Sequence, residues 1–433
     1  MPSVAAPFLS SAARLVTDVL GGARGSAALS RAIAEQRLGA PEALQLSSLV
    51  YGALRRRKRV RAALTELGTG EARASDSLSA VLGAALLEGG LEPPAATALS
   101  PDVAWERFAE VDASLLERCS GARKLELLGS LPDWLAERLL AEYGPEAEAL
   151  AASLSEPPPR SLRVNGLAAD VAEAHARLEE EGARIEPGRY GRRALLIEGA
   201  FNPFTTRAFH DGVFELQDEA SQIVCELTAP PPRGLIVDAC AGAGGKTLAL
   251  AALLEGRGKV MSLDIDEAKL AELRRRAKRA GAVNVQALAI DESGSLPEAV
   301  QAVAGKVDRV LVDAPCSGTG VLRRNPEARA RLTPDAVTRL AQTQLAIVER
   351  VLPLLAPGGR LVFATCSLLR AEGEELLDAI EARHPELTPV NLAEIYDRAY
   401  VERFERRAPH RLRLSPHRHG TDGFFIGCLR RKR

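Results

Sequence analysis

The stretch Leu235-Ile236-Val237-Asp238-Ala239-Cys240-Ala241-Gly242-Ala243-Gly244-Gly245-Lys246-Thr247 runs from a short apolar segment into a glycine-rich turn and then into an Ala/Leu helix. A glycine turn between a buried strand and a helix lets backbone approach a ligand closely at the helix N-terminus. Three ligands compete for such a loop. A P-loop needs a glycine five positions before Gly245, where this chain has Cys240, so ATP and GTP are disfavoured. A dinucleotide fingerprint needs a third glycine where Thr247 stands. The third ligand, S-adenosylmethionine, needs glycines but no phosphate cradle. Asp264 ends the next apolar run, where a carboxylate accepts ribose hydroxyls from either NAD or S-adenosylmethionine.

Working outward, apolar runs alternate with helical patterns from about residue 214. Strands are predicted at Gly234–Asp238, Lys259–Asp264, Val285–Ala289, Val307–Asp313, Gly359–Thr365 and Gly423–Leu429. Helices are predicted at Lys246–Leu254, Glu267–Ala280, Pro334–Leu355 and Ala371–His384. This is the pattern of a mostly parallel sheet covered on both faces, an α/β fold of the Rossmann type. Before it, Arg160–Asn165 reads as extended, Val171–Gly182 as a helix and Ala194–Ile197 as a strand, a small α+β module. Pro157-Pro158-Pro159 marks a boundary. Residues 8 to about 140 read as helical. Leu15, Val16, Val19 and Leu20 share one face, and further helices are expected over Ala27–Gln36, Pro41–Leu54 and Asp133–Tyr143, the last with Asp133 as N-cap. The run Arg55-Arg56-Arg57-Lys58-Arg59 is either a solvated helix face or a phosphate contact.

Composition limits the partners. The 433 residues carry 56 Lys+Arg against 57 Asp+Glu, a net charge of −1, so any nucleic-acid surface must be a local patch. Hydrophobic residues at 46% and charged ones at 26% exclude wholesale disorder. No apolar stretch reaches the ~18 residues that span a bilayer. The segment Met1–Arg14 lacks a basic start and a long apolar run, so no signal peptide is expected. The six cysteines form no C-x-x-C, which argues against a zinc ribbon; free thiols in a reducing cytosol are expected, with no metal.

Two of those thiols stand out. Cys316 follows Val310-Leu311-Val312-Asp313-Ala314-Pro315, and Cys366 follows Arg360-Leu361-Val362-Phe363-Ala364-Thr365. Each lies just past the carboxyl end of a predicted parallel strand, where ligands bind in such sheets. A lone cysteine there is usually a small buried hydrophobe. Two at equivalent strand ends point to chemistry.

D-A-C-A-G-A-G-G-K-T (238–247), D-A-P-C-S-G-T-G (313–320), T-C-S (365–367), D-G-F-F (422–425), Gln217-Asp218-Glu219-Ala220-Ser221-Gln222 and Arg163-Val164-Asn165 together resemble the RNA cytosine-5 methyltransferases of the Nop2/Sun class. The resemblance covers about 155–433. The family loop more often reads C-A-A-P-G-G-K; here the proline is absent, while Gly244, Gly245 and Lys246 remain. Residues 8–140 resemble a NusB-type helical RNA-binding domain, the arrangement of bacterial members that act on 16S ribosomal RNA.

The resemblance implies three domains: a NusB-like helical domain over 1–140, a small α+β module over 145–225, and a Rossmann-like methyltransferase domain over 226–433. It implies methylation of a cytosine C5 in RNA, 16S ribosomal RNA first and transfer RNA as the alternative. Cys366 would be the nucleophile at C6, Cys316 would release the adduct, and Asp313 would contact the base. Cys240, Ala241, Gly242, Ala243, Gly244, Gly245, Lys246, Asp264, Asp291 and Asp313 would hold S-adenosylmethionine. Arg160, Arg163, Arg323 and Arg324 are candidates for RNA backbone contacts. The expected enzyme is a cytoplasmic monomer without metal or membrane partner. A non-catalytic RNA-binding protein and an NAD-dependent oxidoreductase are the competing readings; the paired cysteines and D-A-P-C do not fit the latter.

Overall fold

Runs of Val, Ile and Leu have two apolar faces and must be covered on both, and the arrangement of this chain follows from that need. The computed structural model describes residues 6–291, 294–396 and 398–433. They form two compact units, Met1–Pro158 with Val321–Pro334, and Pro159–Gly320 with Asp335–Arg433. The break at Pro158 coincides with the proline run, and the α+β module and the parallel sheet both fall in the second unit.

In the first unit, helices at Ala6–Leu20, Gly25–Glu35, Ala40–Glu66, Ser77–Leu87 and Phe108–Arg118 surround a core that includes Val16, Leu46, Val60, Leu82 and Trp105. The third helix does not end at Leu54 as expected; it continues through the basic run to Glu66. The reason is visible in the partners. Arg55 Nη1 donates to Arg323 O at 3.3 Å, and Arg56 Nη1 donates to Ser155 O at 2.5 Å. Arg59 forms a bidentate pair with Asp112 at 2.7 and 2.5 Å, and Arg61 pairs with Glu71. Most of the run thus holds its own unit together rather than facing a phosphate. Asp133 is the first residue of its helix, not the cap, and its carboxylate meets Lys58 Nζ at 2.6 Å.

In the second unit, the module supplies β1 (Arg160–Val164), β2 (Arg184–Pro187), β3 (Ala194–Glu198) and β4 (Phe214–Leu216), an antiparallel sheet in the order β2-β3-β1-β4. The larger sheet contains, among the described residues, β5 (Leu235–Asp238), β6 (Lys259–Asp264), β7 (Val285–Ala289), β8 (Val307–Asp313), β9 (Leu355–Thr365), β10 (Leu387–Pro389), β11 (Glu405–Ala408), β12 (Arg411–Leu414) and β13 (Phe424–Arg431). Its order is β11-β12-β13-β9-β8-β5-β6-β7, with β10 also on β13. Strands β5 to β9 are parallel, and β13 runs antiparallel to β9.

Side-chain alternation splits the core in two. Ile236, Val260, Leu311 and Val362 enter one cluster with the helices Glu219–Thr228, Gly245–Leu253 and Glu267–Arg279. Their neighbours Val237, Met261, Val310 and Leu361 enter another, against Pro334–Val351 and Glu374–Arg383. A period of two puts successive residues on opposite faces. From β5 the chain steps outward to β6 and β7, then returns to β8 and β9 on the other side. That reversal opens a crevice at the carboxyl ends of β5 and β8.

Candidate active site

Four loops meet at the carboxyl edge of the parallel strands. After β5, the chain turns through Gly242 (φ 52°) and Gly244 (φ 88°), a left-handed region that a side chain disfavours. A Cβ on Gly244 would also stand 2.7 Å from Leu273 Cγ, whereas one on Gly242 would meet nothing, so the turn is braced on one side and open on the other. Gly242 N donates to Asp264 Oδ2 at 2.7 Å, and Asp266 N donates to Asp264 Oδ1 at 2.9 Å. Each carboxylate oxygen has two lone pairs, so Asp264 keeps acceptor capacity after bracing the loop. Arg276 Nη1 donates to Ala243 O at 2.7 Å and is held in turn by Glu215. Ile290 N donates to Asp264 O at 3.0 Å, which places the exposed Asp291 beside the end of β6.

Behind the loop, Lys246 Nζ lies 2.5 Å from Asp313 Oδ2 and 5.2 Å from the centre of the Phe424 ring. Burial is the largest influence and works to lower the Lys246 pKa, but Asp313, Cys225 and Cys366 together outweigh it and hold the pKa above its ordinary value. The ammonium is therefore fixed in charge, within electrostatic reach of the Cys366 sulfur. Asp238, fully buried beneath the loop, accepts from Thr247 Oγ1 at 2.7 Å, and burial raises its pKa to about 6. Burial likewise pushes the Cys240 thiol up.

The two thiols meet. Cys316 Sγ is 3.3 Å from Cys366 Sγ, and both are free. Their loops are laced by backbone: Gly320 N donates to Cys366 O at 2.9 Å, and Gly423 N to Gly320 O at 2.9 Å. A Cβ on Gly320 would stand 2.1 Å from Gly423 O, so T-G (319–320) and D-G (422–423) need their glycines for this approach. The hydrogen bond to Cys366, then burial, raise the Cys316 pKa well above the ordinary thiol value.

Glu372, which the sequence motifs do not mark, ties the two cysteine loops together. It is fully buried and accepts from Ser317 N at 2.8 Å, Ser367 Oγ at 2.6 Å, Gln344 Nε2 at 3.1 Å and Ser317 Oγ. Ser317 and Ser367 directly follow the two cysteines, so Glu372 acts on the thiols through their neighbours. Nothing local in the sequence points to it, because its partners lie up to 55 positions away. Glu372→Ala should lower kcat about 100-fold while leaving cofactor affinity unchanged, since a displacement near 1 Å has that effect. Glu372→Gln should recover part of the rate. Steady-state kinetics beside calorimetry would check this; a change confined to KM would argue against the role.

The candidate RNA arginines are placed otherwise than expected. Arg163 and Arg323 are each only 4% exposed, and Arg163 Nε is engaged with Gln217 Oε1 at 2.6 Å. Burial within the protein leaves neither an open guanidinium for a phosphate. Arg160 donates to Gly199 O at 3.0 Å and to Phe201 O, and Arg324 is half-buried. No group of three or more His, Cys, Asp and Glu among the described residues is arranged to hold a metal ion. No described helix is long and apolar enough to cross a membrane.

The profile of the 16S rRNA methyltransferase RsmB/F family matches residues 226–430, and that of its RsmF/B-like ferredoxin-like domain matches 131–203. The "Probable ribosomal RNA small subunit methyltransferase B" of Bacillus subtilis (strain 168) is 37% identical over 314 residues, 72% of this chain and 68% of that one. The chain belongs to the 16S rRNA methyltransferase RsmB/F family. Ribosomal RNA small subunit methyltransferase B of Xylella fastidiosa (strain 9a5c) is 32% identical over 399 residues, 89% of this chain and 90% of that one. The crystal structure of PH0851 superposes with a TM-score of 0.79 at 27% identity, covering 99% of each chain. The activity class is methyl transfer to ribosomal RNA, the fold is Rossmann-like, and the helical N-terminal region is consistent with a NusB-like domain.

Proposed function

We propose that the chain methylates C5 of a cytosine in 16S ribosomal RNA, through a covalent bond between Cys366 and C6 of the base. The observation that carries this reading is the pair of free thiols 3.3 Å apart at the carboxyl ends of two adjacent parallel strands. C5 of cytosine is a poor nucleophile. Sulfur addition at C6 turns it into an enamine-like carbon that accepts an electrophilic methyl group. A free thiol is only about 3% ionised at pH 7, so the attacking sulfur needs help. Lys246, held charged beside Asp313, supplies a fixed positive field that favours the thiolate form of the attacking sulfur. Cys366 then attacks C6. Asp313, half-buried at the end of β8, contacts the base edge. Loss of the C5 proton lets the C6–sulfur bond break, with Cys316 placed to assist and Cys366 regenerated.

The loop Cys240–Lys246 with Asp264 fits S-adenosylmethionine on two observations: the open side at Gly242 and the spare acceptor capacity of Asp264. That group supplies the electrophilic methyl when bound. Asp291 extends the same edge. Asp264→Ala should weaken cofactor binding by about 1.5–3 kcal/mol, the range for a lost charged hydrogen-bond partner. Titration calorimetry that gives an unchanged affinity would overturn the assignment.

The reaction must also unstack its base, so the target is single-stranded or easily opened RNA. The test is transfer of labelled methyl to unmodified 16S ribosomal RNA, followed by bisulfite sequencing. A single protected cytosine in that RNA is the expected result. Label in transfer RNA alone would move the substrate, and label without bisulfite protection would overturn the C5 chemistry.

A further inference from the structure

The opposite end of the sheet carries a second feature that the reaction does not use. Arg309 on β8 pairs in register with Arg360 on β9, and Arg360 pairs in register with Arg430 on β13. Directly paired residues share a face of the sheet, so three guanidiniums stand in one row across three adjacent strands. Like charges so placed destabilise a sheet. Arg431, Lys432 and Arg433 follow at and beyond the end of β13, and together the six line an open cavity of about 540 Å³. In a chain of net charge −1 this is a local concentration, not a general excess.

The hydrogen bonds of the row leave its charge in place. Arg309 Nε donates to Thr228 O at 3.0 Å and Ala229 O at 3.1 Å, and Arg360 Nη1 reaches Leu227 O at 3.4 Å. These are the last carbonyls of the Glu219–Thr228 helix, whose terminus offsets only about half a charge. Asp308 gives one carboxylate oxygen to Leu235 N at 2.8 Å. Glu394 meets Arg430 at 3.2 Å, with both side chains about half exposed. Burial first, then the neighbouring arginines, push Arg309 down to about 10. Arg360 is 7% exposed, and its Nε is buried without a hydrogen-bond partner. Lys432 and Arg433 are exposed.

We propose that Arg430, Lys432 and Arg433, backed by the charge of Arg309 and of the buried Arg360 beneath them, form a second RNA site, which takes the phosphodiester backbone of the substrate RNA away from the methylated nucleotide. This rests on ribosomal RNA being the substrate, not on the C5 chemistry. RNA fits better than another polyanion because it already docks on the same unit. Arg360 lies five residues before Thr365 along β9, about 17 Å at 3.3–3.4 Å per residue. RNA that places a cytosine at the thiols therefore reaches the row only if it extends past that depth. Recognition of flanking RNA makes affinity depend on RNA length.

The test compares the full chain with the variant Arg430→Gln/Lys432→Gln/Arg433→Gln, whose altered side chains are half-buried or exposed. Filter binding without cofactor would use unmodified 16S ribosomal RNA and a fragment too short to span the sheet, across a series of KCl concentrations. For the long RNA, the variant should bind about tenfold or more weakly, with a salt slope shallower by about 0.7 for each phosphate that is no longer neutralised. For the short fragment, binding and methyl transfer should match the parent chain. Lys432→Glu/Arg433→Glu, which leaves the three paired arginines intact, should show a partial effect in the same direction. An unchanged slope on long RNA, or an equal loss on both RNAs, would overturn the proposal. So would charge-dependent binding to phosphatidylglycerol vesicles with RNA affinity unaltered. Because binding is read without turnover, loss of the slope difference and loss of C5 methylation are separate results.

Discussion

Cys366→Ala is expected to bind S-adenosylmethionine as tightly as the parent chain and to lose methyl transfer by at least ~10³-fold, the scale on which removal of a covalent nucleophile acts. The thiol lies past the end of β9, while the glycine loop follows β5. The substitution removes one sulfur that packs against the core but holds no backbone of the cofactor loop. Calorimetry and single-turnover methyl transfer would measure the two effects side by side. Measurable product at more than a trace of the parent rate would transfer the nucleophilic role elsewhere.

Cys316→Ala is expected to do the opposite: to attack, to methylate, and then to stay bound. With Cys316 gone, the sulfur 3.3 Å from Cys366 is missing at the stage when the C5 proton must leave. Mixed with substrate RNA and cofactor, this variant should run as a protein–RNA adduct that survives denaturing electrophoresis. Cys366→Ala and the double variant should give no adduct. If Cys316 only packs its loop, the rate falls and nothing is trapped. If the adduct appears with Cys366→Ala instead, the two roles are reversed.

The parallel strands were readable because their signals are local. Lys259–Asp264, Val285–Ala289 and Val307–Asp313 match their expected ranges residue for residue, each an apolar run closed by a turn or a carboxylate. The paired thiols were readable for the same reason, since strand ends place them. What escaped was written in interactions between residues far apart in the chain. Ser77–Leu87 is apolar on nearly every side and buried from Ser79 to Ala85, so it carries no helical period to detect. The basic run hid the continuation of its helix because its acceptors are backbone carbonyls and carboxylates up to 268 positions away. Strands β11 and β12 are short and rich in arginine, and they become strands only by pairing with each other and with β13. Glu372 escaped for the same reason.

The short segment Val321–Pro334 bears on how such proteins are inherited. It lies between Cys316 and the helix before β9, yet it belongs with the N-terminal unit. Arg329 within it is buried and donates to Gly129 O at 2.9 Å, Leu154 O at 2.7 Å and Leu322 O at 3.0 Å, with burial pushing its pKa down to about 9. A gene that shed its first 158 codons would strand that guanidinium, because two of its three acceptors would vanish with them. Gain or loss of the N-terminal unit is therefore felt inside the second half of the chain, at the minimum at position 329, where a buried guanidinium has use only while that unit is present.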